Sequence, residues 1–164
     1  MTFIVVILLI VLFISFGAVV FIGAPYLPTM RKQIHAALEL ANLKPGQKLV
    51  DLGCGDGRVL VAAAKVGVDA VGYEINPFLA LIAWIRTLRF RKHVKVVWGD
   101  YWSREWPEDV DCVFVFLIQH LMPKLEQRVV SYAHRPLIVV SFAFKFNSRK
   151  AAHQKDGVFL YEFN

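Results

Sequence analysis

The stretch VDLGCGDG, residues 50–57, joins a short β-rich run (residues 48–52) to a helical pattern (residues 58–66). Glycines allow the backbone to turn tightly and to come close to a ligand, and the amides at the start of a helix can donate hydrogen bonds. A glycine-rich turn can also serve the fold alone. The position of this one, between a strand and a crossover helix, predicts a ligand-binding turn.

β-Rich runs and helical patterns alternate along the rest of the chain. Strands separated by helices predict an α/β protein whose mostly parallel sheet is covered on both faces, with ligands at the carboxyl ends of the strands. After the fifth predicted strand only one further clear strand follows. The other predicted strands are residues 70–73, 94–98, 112–116, 137–141 and 158–163, and the other predicted helices are residues 30–43, 78–88 and 123–133.

The second predicted strand ends on an acid, Glu74. At this distance from the glycine-rich turn, about twenty residues, a carboxylate can accept hydrogen bonds from both hydroxyls of a ribose. The ordinary alternative is an exposed carboxylate at a strand end. Its place directly after Val71-Gly72-Tyr73 favours the ligand role.

The glycine spacing separates two classes of cofactor. Gly53, Gly55 and Gly57 alternate and position 58 is not glycine, so the G-x-G-x-x-G pattern of dinucleotide-binding turns is not met. Asp51 would place a carboxylate near the ligand, which suits the ammonium and sulfonium of S-adenosylmethionine (SAM) better than a pyrophosphate. We therefore expect SAM as the cofactor.

A third group of polar and aromatic residues, Gly99-Asp100-Tyr101-Trp102, follows the third predicted strand. The acid can accept a hydrogen bond from an adenine amino group, and an aromatic ring can stack on the adenine. Each of the three groups has an ordinary structural explanation, but their order along the chain predicts one SAM site. Its expected residues are Asp51, Gly53, Cys54, Gly55, Glu74, Asp100 and Tyr101.

Residues 3–22 carry no charged side chain and, as a helix, could cross the roughly 30 Å hydrocarbon core of a bilayer. A cleaved signal peptide is the alternative, but Met1-Thr2 lacks the basic start and the apolar run is longer than a signal core. The sequence therefore predicts a membrane anchor over residues 1–23 and one catalytic domain over residues 24–164.

The net charge of +6 belongs wholly to the part of the chain after the apolar segment. Arg31 and Lys32 come shortly after that segment and nothing basic precedes it, so the positive-inside rule places the domain on the cytoplasmic side of a single-pass membrane protein. Basic charge beside a bilayer makes contacts with anionic lipid possible. Nucleic acid is the other partner that such charge permits, but we do not expect it here.

Two further sets of residues have simple explanations. Basic side chains cluster after the predicted helix 78–88, where a solvated helix end is favoured over a site for lipid phosphate or RNA. The cysteines and the scattered histidines lack ligand spacing, so we expect free thiols and no metal. The basic cluster is Arg86, Arg89, Arg91, Lys92 and Lys95, and the cysteines are Cys54 and Cys112.

These motifs resemble those of the seven-β-strand, Rossmann-like class I SAM-dependent methyltransferases. Residues 51–57 resemble motif I, Glu74 the ribose-binding acid and Asp100 the adenine-side acid. The segments PYLPT (25–29), VGYEINP (71–77) and LMPKLE (121–126) resemble a narrower family, the small membrane-anchored protein-lysine methyltransferases. That family includes the mitochondrial enzymes acting on ATP-synthase subunit c and on the adenine nucleotide translocase.

The resemblance implies methyl transfer from SAM to a lysine amine of a protein in or near the membrane. Tyr26 and Thr29 are candidate catalytic residues because the connector could line the substrate channel, whereas packing and a helix N-cap at Thr29 are the alternatives. Gln119 and His120, after the fourth predicted strand, could also face the substrate. Methylation of a lipid or of a hydrophobic small molecule such as a quinone, and a non-catalytic SAM-binding membrane scaffold, are the other interpretations.

Overall fold

The computed structural model describes residues 3–7 and 27–163. Its centre is a seven-stranded sheet with the order β3-β2-β1-β4-β5-β7-β6. The first five strands are parallel to one another, and β7 runs antiparallel to both of its neighbours. The strands are β1 (Lys48–Leu52), β2 (Asp69–Glu74), β3 (Val94–Trp98), β4 (Cys112–Val115), β5 (Leu137–Phe142), β6 (His153–Lys155) and β7 (Val158–Phe163).

Helices cover both faces of this sheet. Three helices contribute to the core on one face and the fourth helix contributes to the core on the other. The predicted α/β fold with a mostly parallel sheet is therefore confirmed, with element ends that differ from the predicted ones by at most two residues. The helices are α1 (Arg31–Ala41), α2 (Arg58–Lys65), α3 (Pro77–Thr87) and α4 (Met122–Tyr132), and short 3-10 turns span Leu88–Phe90 and Gln119–Leu121.

The far edge of the sheet differs from the sequence prediction, which found only one strand after β5. The strand that was missed is β6, and it pairs with β7 to form an antiparallel hairpin. Its three residues are all exposed, so no alternation of apolar and polar side chains marks them. The hairpin turn at Asp156 and Gly157 has positive φ at both residues, as type I′ turns require.

The register of the central strands aligns their carboxyl ends. Leu52 at the end of β1 lies opposite Tyr73 on one side and Val115 on the other. Glu74 at the end of β2 lies opposite Trp98 at the end of β3. Residues that follow these strands therefore meet at one edge of the sheet.

Most of the predicted membrane anchor lies outside the described residues, as does the candidate catalytic residue Tyr26. Within residues 3–7 and 27–163, no helix combines the length and the apolar character needed to cross a bilayer.

Candidate active site

A cavity of about 320 Å³ opens at the carboxyl ends of the parallel strands. Residues from three separate strand ends, which the sequence motifs assign to one SAM site, all line this cavity. They are Asp51, Gly53, Cys54, Gly55, Glu74, Asp100 and Tyr101.

The glycine-rich turn is held against the end of β2. The amides of Gly53 and Cys54 both donate to the carbonyl oxygen of Tyr73, at 3.0 and 2.9 Å. The Gly55 amide donates to Oε2 of Glu74 at 2.8 Å. These three amides therefore donate hydrogen bonds within the protein. The sequence prediction that amides of this turn donate to a ligand does not hold for them. What the turn offers a ligand here is a close approach to its backbone.

Glu74 is fixed by two backbone amides. Besides the bond from Gly55, its Oε1 accepts from the Asn76 amide at 2.8 Å. Burial raises the pKa of Glu74, while the hydrogen bonds from Asn76 and Gly55 act in the opposite direction. A carboxylate has about four lone-pair sites, so the side chain can still accept from ribose hydroxyls.

Asp51 is a buried carboxylate that lacks a partner in the described part of the chain. Its side chain belongs to a residue only 2% exposed, and no described residue donates a hydrogen bond to it. Burial, followed by the nearby Glu74 and Asp56 carboxylates, raises the pKa of Asp51 well above its usual value. A cationic ligand would stabilise the ionised form, and the ammonium of SAM is such a cation, so the residues present fit this cofactor.

Asp56, in the same turn, differs from Asp51 because its carboxylate is paired with two arginines. Arg58 donates to it from Nε and Nη2 at 2.9 and 2.7 Å, and Arg86 forms a second ion pair with it. Burial alone would raise the pKa of Asp56, but the hydrogen bonds from Arg58 and Arg86 lower it to about 2. Arg86, which was predicted to belong to a solvated basic cluster, instead joins α3 to the glycine-rich turn.

The third group of predicted site residues follows β3. Oδ1 of Asp100 accepts from the Trp102 amide at 2.9 Å, so one carboxylate oxygen orders the local turn. Tyr101 is half-buried with its ring 4.9 Å from that of Trp102, and burial raises the pKa of its phenol. The neutral ring and the second carboxylate oxygen remain candidates for contacts with adenine, as predicted from the sequence.

The connector before α1 also reaches the cavity. Leu27, Pro28 and Thr29 line it, and the Thr29 carbonyl accepts from Nη1 of Arg58 at 3.2 Å. The N-cap of α1 is Met30, without a side-chain hydrogen bond, so the N-cap role considered for Thr29 is wrong. Its catalytic role stays a prediction.

The cavity wall at the ends of β4 and β5 was not predicted from the sequence. Gln119 and His120 are exposed and do not line the cavity, and the Gln119 side-chain amide donates to the Lys145 carbonyl at 2.9 Å. The same strand-end argument that located Glu74 could have located the true lining residues. They are Phe116, Leu117, Ile118, Leu121, Ala143 and Phe144.

A metal site is not formed in the described ranges. Among residues 3–7 and 27–163, no group of three or more His, Cys, Asp and Glu side chains could hold a metal ion. Cys54 and Cys112 are free and buried. Burial raises the pKa of both thiols, so neither is activated as a nucleophile.

Two curated relatives are similar over most of this chain. The protein-lysine N-methyltransferase of Saccharolobus islandicus (strain REY15A) is 32% identical over 153 residues, covering 84% of this chain and 92% of that protein. The lysine N-methyltransferase of Xenopus laevis that is named for the C subunit of ATP synthase is 32% identical over 124 residues, covering 74% of this chain and 54% of that protein. The chain thus spans about half the length of the Xenopus relative.

A solved structure and a family model agree with these relatives. The RNA methyltransferase from Salinibacter ruber in complex with S-adenosyl-L-homocysteine has a TM-score of 0.75 and 26% identity, covering 84% of this chain and 92% of that chain. The model of the ANTKMT methyltransferase domain matches residues 51–153, which include the glycine-rich turn and all three groups of site residues. The chain therefore belongs to the ANTKMT methyltransferase domain family, and it carries a SAM-dependent methyltransferase domain.

Proposed function

We propose that this chain is a protein-lysine N-methyltransferase that modifies a protein in or beside a membrane, to which residues 3–22 anchor it. The observation that carries the lysine assignment is the contrast between the two walls of the cavity. Asp51, Glu74 and Asp100 line one wall, whereas the side chains contributed by the ends of β4 and β5 are apolar. A lysine side chain offers a four-carbon stem for the apolar wall and an amine for the reaction.

The apolar wall also favours the reactive form of the amine. A lysine ammonium loses solvation in an apolar site, which favours the neutral form that is able to accept a methyl group. Bound SAM supplies a methyl group that its sulfonium has already activated. The residues of this chain then have to bind the cofactor, exclude water and orient the amine, and orientation alone can supply much of the rate.

Two relatives support the choice of a protein substrate. Those from Saccharolobus islandicus and Xenopus laevis are protein-lysine methyltransferases by name, and the name of the second specifies the C subunit of ATP synthase. The membrane part rests on the uncharged residues 3–22, and Arg31 and Lys32 after them favour the cytoplasmic side for the domain. Protease protection in sealed vesicles would test this orientation.

The apolar wall also supports a second candidate, methylation of a lipid or of a quinone-like molecule. Phe116 and Phe144 would pack against an apolar substrate as readily as against a lysine stem. The anchor would serve either substrate, because both reside at the membrane.

A labelled-methyl assay in proteoliposomes distinguishes the candidates. The full chain is incubated with labelled SAM and a small membrane protein that carries a lysine at its cytoplasmic boundary, and protein is then separated from lipid. We expect label in the protein at that lysine, and none after the lysine is replaced by arginine. The control enzyme carries Asp51→Asn, which should bind SAM more weakly and transfer less label.

Other distributions of the label would contradict the proposal. Label recovered only in extracted lipid would establish the second candidate. Bound SAM without any transfer, to protein or to lipid, would indicate a non-catalytic scaffold.

A further inference from the structure

Helix α3 is apolar on both of its faces, although only one of them is covered by described residues. Leu79, Ala80 and Ala83 are buried beneath it, where it packs on β2 and β3. The outward residues recur at helical spacing and form one continuous stripe. This stripe consists of the exposed side chains Leu81, Ile82, Trp84, Ile85 and Leu88. We call the stripe and the exposed Trp98 at the end of β3 the α3 apolar face.

The α3 apolar face is bordered by basic side chains, and the surrounding segment of the sequence contains no acidic ones. No Asp or Glu occurs between Glu74 and Asp100. Arg86 is paired with Asp56, but the other cations after the helix form no ion pair with any described acid. These cations, the basic rim, are Arg89, Arg91 and Lys92, and all of them are exposed. Lys95 is exposed as well, but it lies between Val94 and Val96, which pack in the core beneath α3, so its side chain is on the opposite face of the sheet.

The charge of the basic rim distinguishes between the partners that could cover the α3 apolar face. The chain's own residues 1–30 contain no Asp or Glu and offer nothing to the basic rim. A second copy placed symmetrically on this face would set one basic rim against the other, in a chain of net charge +6. An RNA would suit the cations but would leave Leu81, Ile82 and Ile85 without apolar partners. Anionic lipid satisfies both features, since its headgroups pair with the cations while aliphatic and Trp side chains enter the interface.

We propose that the α3 apolar face and its basic rim form a peripheral docking site for the surface of an anionic lipid bilayer. Trp side chains prefer the headgroup level of a membrane, and Trp84 and Trp98 are 54% and 65% exposed. Lipid-facing Lys and Arg residues keep their charged ends among the headgroups while their stems cover apolar surface. The site lies within the folded domain and acts in addition to any anchor formed by residues 3–22.

The docking site is continuous with the rim of the active-site cavity. The Trp98 indole Nε1 donates to the carbonyl of Ile75 at 3.2 Å, and Ile75 lines the cavity. Arg86 joins the same helix to Asp56 in the glycine-rich turn. A bilayer bound at α3 would therefore hold the cavity at a fixed orientation to the membrane, whichever molecule receives the methyl group.

The test uses two labelling positions of matched exposure on opposite faces of the sheet. Leu81 on α3 is 53% exposed and Val130 on α4 is 57% exposed. Because Cys54 and Cys112 are buried, Leu81→Cys or Val130→Cys introduces the one accessible thiol among the described residues for an environment-sensitive fluorophore. The full chain is reconstituted into vesicles of phosphatidylcholine alone or mixed with phosphatidylglycerol, with brominated acyl chains as quenchers.

We expect strong quenching and a blue shift for the fluorophore at position 81 in the anionic vesicles, and little change at position 130. Neutralising Arg89, Arg91 and Lys92 together to Gln should lower the equilibrium constant for docking on the order of a hundredfold, since each cation near the surface is worth about a fivefold change. The control of equal charge is Lys95, Lys124 and Lys150 changed to Gln, three exposed residues of which Lys95 and Lys124 lie on the opposite face of the sheet. That control should dock normally.

Four outcomes would overturn the proposal. Equal responses at positions 81 and 130 would mean that α3 does not meet the bilayer. A fluorophore at position 81 that is shielded equally in both lipid mixtures would indicate cover by the chain's own N-terminal segment. Shielding that depends on the ratio of protein to lipid would indicate a second copy. A response to added polyuridylic acid in place of anionic lipid would indicate RNA.

Discussion

At the scale of one residue, Asp51 lowers the stability of the ligand-free protein while it provides a carboxylate for binding a cation. A buried carboxylate that receives no hydrogen bond from any described residue is costly to ionise, and Glu74 and Asp56 add repulsion. The unfolded chain ionises Asp51 near pH 3.9, so between that pH and the raised folded pKa the folded state binds more protons than the unfolded state. The free energy of unfolding therefore falls as the pH rises through this window.

Asp51→Asn should separate stability from cofactor binding. The amide is uncharged, so we expect a higher Tm for the ligand-free variant than for the wild type at neutral pH. Loss of a charge-assisted hydrogen bond, worth about 1.5–3 kcal/mol, should weaken SAM binding about ten- to hundredfold. Differential scanning fluorimetry and calorimetry measure the two effects, and a lower Tm together with unchanged affinity would contradict both.

Binding of SAM should be coupled to release of a proton from Asp51. The cationic ligand stabilises the ionised carboxylate, so the affinity should fall as the pH is lowered through the raised pKa of Asp51. Below about pH 7 the amino group of SAM stays protonated, which leaves the protein as the source of the change. Titration calorimetry in two buffers of different ionisation enthalpy counts the protons, and Asp51→Asn should abolish the difference between the buffers.

The sequence predicted which acids line the cavity but could not show their hydrogen bonds and ion pairs. A strand-end position was enough to predict that Asp51, Glu74 and Asp100 would share one cavity. That Glu74 also holds the glycine-rich turn through the Gly55 amide depends on how the turn closes. The ion pair between Asp56 and Arg86 joins residues far apart in sequence, which helical periodicity alone cannot bring together.

At the scale of elements, the glycine-rich turn packs against β2 at Gly72. A Cβ atom at Gly72 would lie 2.5 Å from Cδ1 of Leu60, 2.7 Å from Sγ of Cys54 and 2.8 Å from Cβ of Cys54. These distances are too short for carbon and sulfur atoms, so the turn or the strand would have to move. The close approach brings Cys54 and Glu74 to the same cavity.

Gly72→Ala should therefore damage stability and binding together. Overpacking of this kind costs about 1–3 kcal/mol, and each kcal/mol lowers Tm by roughly 2–4 °C in a chain of this size. Displacement of the turn should also weaken SAM binding. Thermal unfolding and calorimetry test both effects.

A double-mutant cycle identifies the contact responsible. Cys54→Ala removes Sγ, so the combination with Gly72→Ala should recover part of the lost stability, while Cys54→Ala alone should be mild. Strictly additive effects of the two substitutions would show that the Sγ atom of Cys54 is not responsible for the lost stability.

The strands and helices with a buried face were predicted from the sequence, whereas the fully exposed strand β6 was missed. The strand β1 has four buried residues in its five, which gives a strong apolar signal. The strand β6 has none, since it is an edge strand whose backbone, within the described sheet, pairs with β7 alone. Edge strands are often short and polar because this discourages pairing with other chains, and the same feature hides them in a sequence.

For the molecule as a whole, the cofactor site and the predicted anchor should be separable. The described residues that line the cavity begin at Leu27. Deleting residues 1–24 should leave the affinity for SAM unchanged within about twofold, or 0.4 kcal/mol. A folded, truncated chain that no longer bound SAM would show that the apolar segment belongs to the site.

Transfer to a membrane protein should respond differently to the same deletion. Placing enzyme and substrate on one surface raises their effective concentration, so the full chain should methylate a reconstituted membrane protein at least about tenfold faster than the truncated chain. A lysine peptide free in solution serves as the control and should be methylated equally by both. Equal rates on the membrane protein would exclude a role for residues 1–24 in substrate access.

The placement of β7 between β5 and β6 has a consequence for synthesis on the ribosome. One side of β5 is covered by β7, whose residues Val158–Phe163 are translated after Leu137–Phe142. Translation at about 5–20 residues per second leaves that side of the nascent β5 open for on the order of seconds, whereas a hairpin with a tight turn closes in microseconds. The period in which a neighbouring nascent chain could pair with β5 is therefore set by the speed of the ribosome, and codons that slow translation between these two strands would lengthen it.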